Sequence, residues 1–121
     1  MDKLDDSQLM NVASFAVCAA DVHWEPHPIP GVKVAKLYVD MEQRQLSALA
    51  QLEAGVHYPL HRHAGVEEVF LLEGDLVVGQ KKYEKGDYIR SAPGSTHNPH
   101  TEGGCLFFLR TSLDDEILSG S

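Results

Sequence analysis

Ten glycines and six prolines punctuate this chain, and the runs between them carry many valines and leucines. Such frequent interruption favours many short strands over helices of ordinary length, and so predicts an all-β sandwich or barrel. Closing the sheet also removes edges that would pair with other molecules. At 121 residues, 43% of them hydrophobic, the chain reads as one domain able to bury a core without disulfide staples.

The most informative run is Pro59-Leu-His-Arg-His-Ala-Gly-Val-Glu-Glu-Val-Phe-Leu-Leu-Glu-Gly74. Side chains alternate across a strand, so His61 and His63 project from one face while Arg62 points the other way. Glu67 keeps the parity of the two histidines beyond the small pair Ala64-Gly65; Glu68 replaces it if that turn bulges. A further imidazole, His97, lies in Ser91-Ala-Pro-Gly-Ser-Thr-His97-Asn-Pro-His100. Three imidazoles and a carboxylate suit a divalent first-row transition ion, whereas magnesium and calcium prefer oxygen.

Gly55, His61, His63, Glu67 and Gly74 match the first cupin motif: Gly, five residues, His-x-His, three residues, Glu, six residues, Gly. In the second motif, Gly86, Pro93, Gly94 and His97 are present, but the proline is displaced by one position from Ala92 and Thr101 stands where asparagine is usual. Glu67-Glu68, Pro93-Gly94-Ser95-x-His97-x-Pro99 and Gly104-Cys105 resemble the narrower ChrR-type cupins, related to the ligand-binding half of an anti-sigma factor. The resemblance runs from about Val22 to Thr111. It implies a small antiparallel double-stranded β-helix, the cupin jelly-roll barrel, over residues 22–112, with an N-terminal arm over 1–21 and a flexible acidic tail over 113–121. It also implies zinc as the ion, with Fe(II), Mn or Ni as alternatives.

Along the chain, the apolar run Val12 to Ala20 is ambiguous between helix and strand and is read as an arm or lid. Trp24-Glu-Pro-His-Pro-Ile-Pro-Gly31 is a lead-in loop whose prolines withhold ladder donors, with Trp24 packing on the barrel. Val32 to Tyr38 reads as a strand. Gln45 to Leu52 favours helix on propensity, but it is short and uncapped and leads into the Ala54-Gly55 turn, so a strand is expected. Glu68 to Leu72 is apolar on both faces, Val69 and Leu71 against Phe70 and Leu72, which asks for cover on each and predicts a homodimer. Glu73-Gly74-Asp75 is expected to reverse the chain, with Leu76 to Val78 returning, and Gly86-Asp87 to make another turn. Cys105 to Leu109 reads as a buried last strand.

Other residues carry weaker expectations. His23 and His27 are read as ordinary loop residues. His57, Tyr58, Arg90, His100 and Cys105 are candidates for the ligand cavity; Cys105 is otherwise a small core residue, and Arg90 a surface ion-pair partner. Asp114-Asp115-Glu116 reads as solvated tail. No catalytic residue can be named, because no carboxylate pair, Ser-His-Asp order or phosphate loop is present.

Eighteen acidic against ten basic side chains give a formal charge of -8, which disfavours nucleic acid and anionic membrane surfaces as partners. Without an apolar span or a basic leader, a cytoplasmic location is expected, with Cys18 and Cys105 as free thiols. Two functions follow: a metal-containing module that binds a small molecule, as the ChrR resemblance implies, or a metal-dependent dioxygenase acting on a diketone or hydroxylated aromatic. Sigma-factor binding is not expected, because the residues before Trp24 are too few for the helical zinc domain of an anti-sigma factor.

Overall fold

A computed structural model describes residues 15–118. After a short 3-10 turn at Ala19–Asp21 come β1 (Glu25–Pro26), β2 (Val32–Asp40), β3 (Gln45–Leu52), β4 (His61–Arg62) and β5 (Glu67–Val78). They are followed by β6 (Lys81–Glu84), β7 (Tyr88–Ser91), β8 (Thr96–His97), β9 (Cys105–Ser112) and β10 (Glu116–Ile117). All pairings are antiparallel: one sheet runs β1-β2-β3-β9-β5-β6 with β7 also on β5, and a second runs β10-β4-β8. The architecture is the expected jelly-roll barrel.

Gln45–Leu52 is a strand despite its helix-forming residues, because every residue of β3 is paired with β9 on one side and with β2 on the other. Two full ladders outweigh a propensity difference of a few tenths of a kcal/mol per residue. Alternation then fills the interior: Ala50 and Leu52 from β3, Val69 and Leu71 from β5, Cys105 and Phe107 from β9, with Val32, Val56 and Leu76, form the core. Phe70, on the opposite parity, is 43% exposed.

Glu73-Gly74-Asp75 does not reverse the chain. Instead β5 continues for twelve residues through a bulge between Leu71 and Glu73. Its first half pairs with β7 and its second half with β6. Gly74 takes φ +80°, and a Cβ there would strike the carbonyl of Gly104. The strand bends where two backbones nearly touch, which only glycine permits.

Beside that bend the buried Asp75 carboxylate accepts the amide protons of Glu102 (2.9 Å) and Gly103 (2.8 Å). Thr101, at the position where the second motif has asparagine, donates its hydroxyl to the Asp75 carbonyl (2.7 Å) and accepts from the Gly104 amide (2.9 Å). The motif asparagine is therefore replaced by a structural threonine.

The expected tail is corrected in part. Leu118 N donates to Leu60 O (2.8 Å), and Glu116 and Ile117 pair with Arg62 and His61, so the segment is strapped to the barrel as far as residue 118. Of the expected arm, 1–14 lie outside the described residues; Phe15 lies 5.4 Å from the Tyr38 ring on β2. Trp24 is 37% exposed.

Replacing Asp75 by Ala strands two amide donors and should cost about 1–3 kcal/mol in urea denaturation. Burial pushes the Asp75 carboxyl up, but the two amides and the charge of Lys82 outweigh it and hold it below the ordinary range. A depressed carboxyl adds stability that is present above its unfolded value and is lost as pH falls through its folded one. The wild type should therefore lose stability below about pH 4 more steeply than Asp75→Ala; equal slopes would refute the assignment.

Candidate metal centre

Two short strands assemble the site. In the β4–β8 pair His61 stands directly across from His97. Just beyond, His63 N donates to Ser95 O (2.9 Å) and Gly94 N to His63 O (2.7 Å), locking the Pro93-Gly94 turn onto the His-x-His strand. His63 Nε2 lies 2.8 Å from His97 Nε2, which lies 3.0 Å from His61 Nε2. Glu67, at the start of β5, brings Oε1 to 3.7 Å from His63 Nε2 and 3.8 Å from His97 Nε2. His61, His63 and Glu67 are buried and His97 half-buried. The four residues singled out in the sequence therefore meet in space.

The far side of each ring explains what the near side offers. His61 Nδ1 donates to Pro59 O (3.0 Å), and His63 Nδ1 to the Asp115 carboxylate (3.2 Å). In the neutral rings each proton is thus drawn outward, and each Nε2 presents its lone pair to the centre. With His61 neutral, one proton relieves only one of the two close Nε2 contacts. A cation relieves both, and the donor set fits one.

Titration follows the same pattern. Burial lowers His97 to about 4, helped by repulsion from His61 and His63. Burial also lowers His61, against the bond to Pro59. For His63 burial acts in the same sense, but the Asp115 bond and the charge of Glu67 overcome it, and its pKa is raised. Burial raises Glu67, against the attraction of His63 and the bond from Thr111.

Asp115 is the functional residue that sequence reasoning missed. Its Oδ1 accepts from Ala64 N (2.9 Å), and its Oδ2 accepts from His63 Nδ1 and the Thr111 hydroxyl (3.0 Å), which also lies 3.2 Å from Glu67 Oε2. These donors hold its carboxyl below the usual range, although burial opposes them. The acidic cluster is therefore not simply solvated. The available signal was the alternation Leu113, Asp115, Ile117, all three of which line the cavity. Asp114 and Glu116, on the other parity, form exposed ion pairs with Arg44 (2.8 Å) and Arg62 (3.0 Å).

A cavity of about 530 Å³ opens beside the four residues, with Val34, Val69, Val78, Ile89, Phe107 and Leu109 among its walls. Of the five cavity candidates only Tyr58 lines it. His57 and His100 instead stack on each other (centroids 4.7 Å, 12°) across a backbone bridge, away from the cavity lining. Arg90 is exposed on β7, outside the cavity. Cys105 belongs to the core, where burial pushes its thiol up to about 11. Conversely His27, read as an ordinary loop residue, is on the cavity wall.

The family model for the ChrR cupin-like domain matches residues 12–113. The chain belongs to this family. No curated protein matches it. Among solved structures, it is similar to a Ralstonia eutropha protein of unknown function with a cupin-like fold, at 21% identity and TM-score 0.69 over 74% of this chain, and spans 60% of that chain. The acetylacetone dioxygenase of Acinetobacter johnsonii matches at 17% identity and TM-score 0.74, covering 88% of this chain and 77% of that one. The Rhodobacter sphaeroides complex of SigE with the anti-sigma ChrR matches at 25% identity and TM-score 0.66, covering 78% of this chain and 51% of that one. Among the described residues of this ChrR-family domain, no helix is long and apolar enough to cross a membrane.

In the metal-free protein the His97 ring should stay neutral down to about pH 4, while His63 should hold a proton above the ordinary histidine range. Ring nitrogen shifts followed against pH would test both, and one common midpoint would refute them. A histidine with a lowered folded pKa gives stability present above its unfolded value and lost as pH falls towards its folded one. His97→Gln should therefore flatten the loss between about pH 6.5 and the folded midpoint.

Proposed function

We propose that the protein is a metal-dependent binding module. One divalent transition ion is held by His61, His63, His97 and Glu67, and a small molecule fills the positions left open on the cavity side. The carrying observation is the convergence of three inward-facing Nε2 atoms, 2.8 and 3.0 Å apart in sequence, beside a buried carboxylate at the cavity. Zinc is the ion favoured by the ChrR relationship; Fe(II), Mn and Ni suit the same donors. His63 is oriented by Asp115 and His61 by Pro59, so these two rings are aimed before an ion arrives. We do not extend the sigma-factor partnership of ChrR to this chain, which covers 51% of that chain's length.

A second reading, a dioxygenase of small diketones or hydroxylated aromatics, is favoured by the size of the cavity and its apolar wall, which suit an organic molecule. A redox-active ion would then supply the site that engages dioxygen and a chelating substrate. Anaerobic Fe(II) loading followed by oxygen uptake with β-diketones and phenols separates the readings. Uptake supports the enzyme; silence with tightly held zinc supports the module.

We also propose a homodimer in the cytoplasm. Phe70 stands across from Phe108 on one side and Tyr88 on the other, an apolar row on the outer sheet face where Phe70 and Tyr88 are 43% and 51% exposed. Sedimentation should give twice the 13.3 kDa chain mass, and Phe70→Glu should shift it to monomer. A wild-type monomer at micromolar concentration would remove this part of the proposal.

Untagged protein should carry close to one equivalent of metal per chain, and His61→Ala with His63→Ala should abolish it. Asp115→Ala should weaken metal affinity about 10–100-fold in chelator competition. Metal retained by the double variant would sink the site.

A further inference from the structure

Tyr58 is the one phenol on the cavity wall, and His27 sits against it. Its ring meets His61 edge to face (centroids 5.1 Å), so it adjoins the proposed metal ligands without being one of them. Tyr58 Oη lies 3.3 Å from His27 Nε2. On the opposite side of the imidazole, Ile29 N donates to His27 Nδ1 (3.1 Å).

These two contacts fix the direction of the hydrogen bond. A backbone amide can only donate, so His27 Nδ1 must be a bare acceptor. A neutral ring then carries its proton on Nε2, and burial, which lowers the His27 pKa, keeps it neutral. Nε2 donates to Tyr58 Oη. The phenol's own proton is left over, and among the described residues no other protein group takes it. The prolines on either side, Pro26 and Pro28, restrict the backbone that holds His27 in this pose.

We infer that Tyr58 is the group by which the cavity selects its ligand: an O–H donor, aligned by His27, for an oxygen acceptor next to the ligand's metal-binding atom. The ligand class is a small, largely apolar molecule bearing a carbonyl, enolate or carboxylate oxygen. The apolar wall accommodates its carbon frame, and Tyr58, whose ring adjoins His61, is the polar contact at the metal end that tells such a molecule from a hydrocarbon or a simple nitrogen donor; Lys36 and Ser112 also line the cavity, as does Thr111, whose hydroxyl is engaged with Glu67 and Asp115. Glu67 and Asp115 also line the cavity but accept hydrogen bonds when ionised, so they disfavour an oxygen anion that lacks a donor facing it. This inference rests on the metal-binding reading for the position of the ligand, and on the Tyr58–His27–Ile29 geometry for the donor.

The test uses cobalt(II)-loaded protein, whose visible spectrum reports occupancy of the open positions, titrated with acetylacetone and, separately, with imidazole, which binds metal through nitrogen and has no oxygen acceptor. Tyr58→Phe should weaken acetylacetone about five- to tenfold, the worth of one hydrogen bond, and leave imidazole within about twofold. His27→Leu should reproduce part of the loss, and His27→Gln, which can still donate, should restore it. Equal effects on both probes, or on neither, would overturn the assignment. If the wild type takes up no cobalt, the metal reading fails by itself. Long-range proton–nitrogen spectra of the metal-free wild type then judge the Tyr58 assignment, as they do if the variants do not fold. Nε2 protonated with Nδ1 bare sustains it; the reverse tautomer removes it.

Discussion

The structure depends on the place where β4 lies against β8. That contact is only two residue pairs long, yet it joins the His-x-His strand to a segment more than thirty residues away and puts His61 opposite His97. The turn residues carry much of the work. Gly94, at φ +83°, lets the chain fold back so that its amide reaches His63 O, and Ser95 O returns a bond to His63 N. Backbone hydrogen bonds thus position the imidazoles before any side-chain interaction is considered. If the pairing slipped by one residue, His97 would turn to the other face, because strand side chains alternate.

Around this contact the barrel is divided by chemistry. The rings of His61 and His97 and the carboxylates of Glu67 and Asp115 stand at the cavity, while branched and aromatic side chains from β5, β7 and β9 are among those that line the rest. Burying charged groups there is unfavourable unless each finds a partner. The pKa directions follow from this: burial lowers His97 and His61, whereas for His63 the Asp115 bond and the charge of Glu67 outweigh burial and raise it. The same desolvation leaves two of the rings neutral near pH 7, the form in which an imidazole can bind a metal.

Local regularities were the legible part of this chain. The shared parity of His61, His63 and Glu67 is a property of any extended strand, and the Gly/Pro punctuation marked most turns. The strand at Gln45–Leu52 was readable only because its flanks demanded it; its own composition pointed to helix. What failed was whatever depended on distant pairing. Glu73-Gly74-Asp75 has the composition of a turn, but its backbone continues because Gly74 is pressed against Gly104 and both edges of β5 are occupied. Asp115 lies fifty-two positions from His63, in an acidic stretch that composition assigns to water, and only the β10–β4 pairing brings it inward. His57 and His100 made the opposite error plausible: two more histidines near the motifs, which the fold spends on each other at the surface.

The three histidines of the site stand on or next to very short strands. β4, β8 and β10 have two residues each, too few to be stable as an independent sheet. Their order relies on side-chain ties: Arg62 to Glu116, Arg44 to Asp114, and Asp115 to His63 and Ala64. The first two are exposed ion pairs, worth little in water; the Asp115 bond to His63 is partly buried and stronger. An ion shared by His61, His63 and His97 would join two of the three short strands from the inside, and its binding energy would count towards their order. Metal occupancy and the firmness of this end of the barrel are then one equilibrium. Asp115 would serve both sides of it, orienting the His63 ring and pinning the strap beside it.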